Sequence, residues 1–166
     1  MTKELFFKQY YHSAVKAERE TGVPALAVLA QAALESGWGE KAPNNMFFGI
    51  KAGPSWKGKR QLITTREVHS KRDIKYPEIL SIIARSDGKY DYRVKDWFRA
   101  YDTAGESFAD HGRFLQENPR YKKAFETTDP VKFVEAVAAA GYATDPEYAK
   151  TLKSIIASLQ KMVPGS

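Results

Sequence analysis

With 166 residues, 43% hydrophobic and 13% aromatic, the chain is long enough for one domain with its own core and is too apolar to be disordered. It has no cysteine, which excludes a disulfide framework and thiolate chemistry. Its net charge of +6 points to an anionic partner, whether nucleic acid, an acidic polymer or cell-wall material, without choosing among them. The opening residues, Met-Thr-Lys-Glu-Leu-Phe-Phe-Lys, lack the apolar core of a secretory leader, and no apolar run is long enough to span a membrane.

In chain order, Thr2 is placed to cap a first helix from Lys3 to about Glu20. Leu5, Tyr10 or Tyr11, Ala14, Val15 and Ala17 are expected to form its buried stripe. Thr21-Gly22 ends it, and Pro24 suits the first turn of the next helix. That next stretch, Ala25-Leu-Ala-Val-Leu-Ala-Gln-Ala-Ala-Leu-Glu35, is built of strong helix formers and is apolar on nearly every face, so it reads as a helix buried mid-domain. Ser36-Gly37 stops it. The segment from Glu40 to Trp56 is rich in turn formers yet holds Met46, Phe47, Phe48 and Trp56, which must pack on a core or a ligand. Asn44 and Asn45 are suited to tie the turn.

The pattern then changes. Gln61 to Val68 has the β-branched content of a strand. Alternation returns from Tyr90 to Tyr101 after a turn at Ser86-Asp-Gly-Lys. Residues Ile74 to Arg85 fit a strand or a short helix. The expectation is an antiparallel sheet of two or three strands within about 60–101. Helices resume at Thr103-Ala-Gly-Glu106, a capping box for a helix through Leu115 with Phe108, Ala109, Gly112 and Leu115 inward. Asn118-Pro119, Asp129-Pro130 and Asp145-Pro146 start three more, reaching about Phe125, Ala140 and Met162, the last anchored by Ile155, Ile156 and Leu159. The fold class expected is therefore α+β, one domain over 1–166. A helical lobe and a small β-lobe would make a cleft, with Glu35 on one wall and the sheet as the other.

Glu35 is the residue that carries chemistry in this reading. A lone carboxylate at the end of an apolar helix loses solvation, which raises its pKa and suits it to proton donation. The ordinary alternative is a side chain that escapes to solvent as the helix ends. A glycosidase also needs, in most families, a second carboxylate. Glu67, Glu40, Asp87, Asp91, Asp96 and Asp102 are the candidates, with Glu67 best placed on its strand, Asp87 a turn former and Asp102 a helix N-terminal residue. Tyr142, in a turn between two helices, has a hydroxyl able to orient a sugar or the acid. Trp38, Phe48, Trp56 and Tyr101 are sugar-stacking candidates, although core packing is the ordinary role of each. The basic run from Lys51 to Arg72 reads as a solvated face or a contact for an anionic polymer. His12, His69 and His111 lack metal-ligand spacing and read as structural, so neither a metal nor a cofactor is expected.

Taken together, Ala30-Gln-Ala-Ala-Leu-Glu35-Ser-Gly-Trp-Gly39, Asn44-Asn-Met-Phe-Phe-Gly-Ile-Lys-Ala52, Trp56-Lys-Gly, Ile63-Thr-Thr-Arg-Glu67, Phe98-Arg-Ala-Tyr101, Glu106-Ser-Phe-Ala-Asp110, Asn118-Pro-Arg-Tyr121 and Gly141-Tyr-Ala-Thr-Asp-Pro-Glu-Tyr-Ala149 resemble the peptidoglycan-hydrolysing N-acetylglucosaminidases of glycoside hydrolase family 73. The resemblance runs in order over nearly the whole chain. It implies a lysozyme-like fold and cleavage of the β-1,4 bond between N-acetylglucosamine and N-acetylmuramic acid. By position it implies Glu35 as general acid, Glu67 as second carboxylate and Tyr142 as active-site tyrosine. Trp38, Asn45, Phe48, Trp56 and Tyr101 are the expected substrate-binding residues. The region around Ile74–Arg85 looks longer than in the shorter members. The implied partner is the peptidoglycan glycan strand, met in the periplasm or cell wall by a monomer that neither enters a membrane nor binds nucleic acid. A muramidase or lytic transglycosylase on the same fold, or a non-catalytic wall-binding module, are the alternatives.

Overall fold

A computed structural model describes residues 1–165. The chain divides into two compact units: a helical unit made of Met1–Phe48 and the chain from Asp102 onward, and a β unit, Gly49–Tyr101.

In the helical unit, α1 spans Lys3–Thr21, with the Thr2 hydroxyl accepting from the Leu5 N–H at 3.1 Å and Gly22 closing it in the left-handed region at φ 81°. Its buried face differs from the expected stripe. Phe6, Phe7, Ala14 and Ala17 are buried, whereas Leu5 is 53% exposed and Tyr10, Tyr11 and Val15 are only partly covered. One residue along a helix turns the face by about 100°. The ring of Phe6, edge-on to Tyr10 at 5.0 Å and to Trp38 at 5.4 Å, decides which face goes in.

The helix α2, Ala25–Ser36, is buried at every residue except Leu34 and Glu35. Pro24 stands just before it rather than in its first turn, and lends no side-chain cap. The Ala25 N–H is satisfied instead by the Glu18 carboxylate of α1 at 2.9 Å. At the other end Gly37, φ 58°, returns its N–H to the Ala33 carbonyl.

Helix α3, Ala104–Glu117, opens with the expected box: Thr103 accepts from Glu106 N–H at 3.2 Å, and the Glu106 carboxylate accepts from Asp102 N–H at 3.2 Å. A 3-10 helix, Pro119–Glu126, follows Asn118. Asp129 caps α4, Pro130–Ala139, at two N–H groups. Helix α5 is Tyr148–Gln160. It begins later than Asp145-Pro146 suggested because those residues form a turn of their own, in which Asp145 accepts from Glu147 N–H at 2.9 Å.

In the β unit, β1 is Arg60–His69, β2 is Glu78–Ala84 and β3 is Tyr90–Arg99, an antiparallel sheet in the order β1-β3-β2. The ambiguous stretch 74–85 thus supplies a strand, joined to β3 through a turn whose Gly88 takes φ 82°. One sheet face buries Tyr92, Val94 and Phe98 completely or nearly so. The Tyr92 hydroxyl donates to the Lys71 carbonyl at 2.7 Å and accepts from Ile74 N–H at 3.3 Å, which ties down the link between β1 and β2.

Candidate active site

Within the helical unit, Glu35 is the last residue but one of α2, where the helix dipole already disfavours a negative charge. The residue reaches solvent, yet crowding around its carboxyl raises its pKa above the ordinary carboxylate value. Burial is the sole resolved cause of that shift; among the described residues no ion pair or hydrogen bond offsets it. The loop just beyond holds three non-glycine residues in the left-handed region: Trp38 at φ 58°, Asn44 at 52° and Asn45 at 60°. Backbone of this kind concentrates at functional sites. The Trp38 ring meets Phe6 edge-on, with the Lys3 ammonium 5.4 Å from its centroid.

Tyr142 follows α4 directly, its N–H donating to Val137 at 3.3 Å. Its ring stacks on Tyr148 at 5.6 Å and meets His111 edge-on at 5.9 Å. Burial pushes both phenols far above their usual range, and the negative charge of Glu35 adds to the shift in each. Both therefore stay protonated, and both lie near enough to the Glu35 carboxyl to feel it.

Behind them runs a buried polar chain. His111 Nε2–H donates to the Gln31 side-chain oxygen Oε1 at 2.9 Å, and Gln31 Nε2–H donates to the Tyr148 hydroxyl at 3.1 Å. Burial pulls the His111 pKa down to about 3, so the ring is neutral. Among the described residues its Nδ1 has no hydrogen-bond partner, and neither does the Ser107 hydroxyl one helical turn earlier. Phe48 lies flat on the imidazole, centroids 3.8 Å apart.

Within the β unit, Glu67 is on the partly buried side of β1, opposite Tyr92. Lys51 Nζ bonds Glu67 at 2.6 Å and Asp96 at 3.2 Å. Burial opposes the ammonium, but the two carboxylates outweigh it and raise the lysine pKa. Lys51 is thus the link between two carboxylates rather than only part of a solvated run. The Tyr76 ring lies 5.8 Å from the same ammonium, and its hydroxyl meets His69 Nε2. Trp56 donates to the Lys59 carbonyl at 2.8 Å and is covered on one face by the Arg99 guanidinium at 4.4 Å. Tyr101 is buried and touches Trp56 at 6.0 Å, which leaves Trp56 the more open of the two rings.

The other carboxylates are occupied. Glu40 takes the N-terminal ammonium, Asp87 serves its turn by accepting from Lys89 N–H at 3.1 Å, and Asp91 pairs with Arg66 at 2.7 Å. Gln31, Tyr148, Lys51 and Tyr76 were not singled out by the sequence as site residues. Gln31 did leave a signal: an amide in the middle of an apolar helix must find buried partners. The others gave none, because their partners lie on different elements.

The chain belongs to the glucosaminidase family of glycoside hydrolases: the family model described as mannosyl-glycoprotein endo-beta-N-acetylglucosaminidase matches residues 11–161. The peptidoglycan hydrolase FlgJ of Vibrio parahaemolyticus is 34% identical over 166 residues, covering 96% of this chain and 48% of that protein. FlgJ of Salmonella typhimurium is 37% identical over 153 residues, covering 88% and 43%. The exo-glucosaminidase LytG of Bacillus subtilis is 29% identical over 153 residues, covering 87% and 47%. The glycoside hydrolase domain of Salmonella typhimurium FlgJ superposes with a TM-score of 0.75 at 33% identity, over 98% of this chain and 91% of that one. The fold is accordingly the lysozyme-like α+β fold of that domain. The chain spans about half the length of the curated relatives it matches.

Proposed function

We propose that this chain hydrolyses the β-1,4 bond between N-acetylglucosamine and N-acetylmuramic acid in peptidoglycan, as an endo-β-N-acetylglucosaminidase, and that both compact units belong to one catalytic domain, which the family match across both of them supports. The observation that carries the reading is Glu35, a carboxyl at a helix C-terminus with a raised pKa and, among the described residues, no cation paired with it. Such a group keeps its proton to higher pH and can pass it to the leaving glycosidic oxygen. Glu67 is the second carboxylate. Its ammonium partner Lys51 suits a group that acts in charged form, orienting water or the substrate's acetamido group, rather than a proton donor. Tyr142 acts as a protonated phenol beside Glu35; the loop carrying Trp38 and Asn45, with Phe48, contacts sugar in the helical unit, and Trp56, supported by Tyr101, does so in the β unit. The substrate places the reaction at the cell wall; no helix among the described residues is long and apolar enough to cross a membrane.

The test is mass spectrometry of the fragments released from purified peptidoglycan after borohydride reduction. Reduced N-acetylglucosamine ends are expected. Reduced or anhydro muramic acid ends would transfer the activity to the other glycosidic bond, and no fragments at all would leave only a wall-binding role.

A further inference from the structure

The sheet of the β unit has a second face, opposite the one that carries Glu67, and the proposed reaction uses none of its residues. On it the register sets Arg66 directly across from Arg93, Thr64 from Lys95 and Leu62 from Trp97, while Ser81 of β2 flanks Arg93 on the other side. Two guanidiniums opposed in this way cost stability. Asp91 relieves one of them, accepting from Arg66 Nε at 3.1 Å and Nη2 at 2.7 Å, with Arg85 at 3.6 Å. Arg93 is exposed, and no carboxylate among the described residues pairs with it.

An open depression of about 510 Å³ surrounds it, lined among others by Thr64, Arg66, Ser81, Ile83 and Asp91. Successive side chains on one face of a strand stand about 7 Å apart. Along β3 the row continues with Lys95 and then Trp97, whose ring carries the Arg60 guanidinium at 3.8 Å. Between the cations this face exposes Leu62, Val68 and Ile83, the last at 62%. Residues 49–101 contain 13 Lys and Arg against 6 Asp and Glu; the whole chain has 26 against 20, so the rest carries 13 against 14 and all the excess positive charge is in the β unit.

We propose that this second sheet face binds the peptide stems of peptidoglycan, with Arg93 taking a stem carboxylate. The inference rests on peptidoglycan being the substrate. The chemistry matches in three respects. Asp91 occupies Arg66 through two donors, which leaves the guanidinium of Arg93, directly across from it, to take a carboxylate from outside. The hydroxyls of Thr64 and Ser81 stand beside the unpaired guanidinium to meet peptide groups. The exposed aliphatic side chains are suited to the alanine methyls that alternate with carboxylates in such stems. The contact holds a strand by its peptides and leaves its sugars to the catalytic residues.

The experiment uses the full chain carrying Glu35→Gln, so that the polymer survives, and measures co-sedimentation with purified sacculi coupled to beads through their glycan and with the same bead-coupled glycan after an amidase has removed the stems. Intact sacculi should bind more tightly than stripped glycan. Adding Arg93→Glu should weaken binding to sacculi roughly tenfold, the scale of one lost charge-assisted contact. Binding to stripped glycan should not change. Lys122→Glu, the same change of charge in the helical unit, should leave both unchanged. Equal losses from the two substitutions would reduce the effect to general attraction and overturn the proposal. So would equal binding of intact and stripped glycan, or displacement from sacculi by polyphosphate but not by free stem peptide. If Arg93→Glu alters the circular dichroism spectrum, Arg93→Gln replaces it with the same criteria. Turnover of intact sacculi by the chain with native Glu35, with and without Arg93→Glu, is read separately. Its absence sinks the proposed reaction and not the stem contact, and its presence beside unchanged sedimentation sinks only the contact.

Discussion

Glu35 owes its chemistry to where α2 stops. The helix is long enough to bury every residue before Leu34, and its end brings the carboxyl to the surface of the helical unit, crowded and with no ion pair among the described residues. Glu35→Gln keeps the shape and removes the proton, so kcat should fall by about 10²–10⁴. The sign of the pH effect follows from the direction of the shift. A carboxyl with a raised folded pKa binds its proton more tightly in the folded chain, so its contribution to stability is complete below the ordinary carboxylate pKa. That contribution is lost as pH rises through the raised value. Glu35→Gln should therefore lose this loss: relative to the native chain, its thermal stability should gain as pH climbs through that window. Activity of the native chain should decline on the alkaline side at a pKa above that of a free carboxylate. A pH series of melting temperatures and of kcat/KM checks both, and an alkaline limb at the ordinary carboxylate value would remove Glu35 from the acid role. Tyr142→Phe separates orientation from packing. The ring contacts with Tyr148, His111 and Tyr121 survive, and the hydroxyl has no hydrogen bond to lose among the described residues, so stability should move by less than about 0.5 kcal/mol. If the phenol orients the acid or the sugar, kcat should drop about ten- to a hundredfold with KM little changed, roughly 1.4–3 kcal/mol of transition-state stabilisation. Unchanged kcat would leave Tyr142 as a packing residue.

At the scale of elements, the contact of α1 with α3 rests on one small residue. A Cβ built on Gly112 would lie 2.4 Å from Thr21 Oγ1 and 2.6 Å from its Cβ. Thr21 has little room to yield. It is buried, stiff at χ1, and its hydroxyl donates to the Ala17 carbonyl at 2.8 Å while accepting from Val23 N–H at 3.3 Å. Gly112→Ala should favour the isolated helix by close to 1 kcal/mol and still destabilise the protein, by about 1–3 kcal/mol, because overpacking wins. Chemical denaturation of the variant checks the sign, and a stabilised protein would show that the helices separate freely. The inward position of Gly112 was legible from the periodicity of Phe108, Ala109 and Leu115; that its hydrogen atom faces a threonine was not, since the contact joins residues far apart in sequence. The same contrast holds elsewhere. Thr2, Thr103 and Asp129 announced their helices because a cap is a local bond. The buried face of α1 departs from the expected stripe because Leu5, Phe6 and Phe7 offer adjacent apolar faces and only the partner selects one. Residues 74–85 were ambiguous because a short apolar run fits either period. Pairing with β3 settles it as a strand.

Across the whole chain, stability and charge are distributed in opposite ways. The apolar core is concentrated in the helical unit, where Leu29, Phe108, Phe133, Leu152 and Leu159 are fully enclosed around an α2 that has almost no exposed side. The β unit holds the positive excess and a smaller buried set, chiefly Tyr92, Val94 and Phe98. Glu35 and its motif were readable because the residues that carry them are contiguous. The Gln31–His111–Tyr148 chain was not, because it joins positions 80 and 117 residues apart and exists only once α2, α3 and α5 have met. This uneven distribution has a measurable consequence. Amides of α2 exchange only when the helical core opens, whereas β2 is an edge strand bonded on one side, with Ile79, Leu80 and Ile83 at 41%, 46% and 62% exposure. Local opening costs least where backbone is exposed and buried apolar contacts are few. Native-state hydrogen exchange should therefore place the slowest amides in α2 and the fastest strand amides in β2, with the gap narrowing as denaturant brings global unfolding within reach. Protection of β2 equal to that of α2 in the absence of denaturant would mean that the two units open as a single cooperative body, and that the edge strand draws stability from contacts beyond its own sheet.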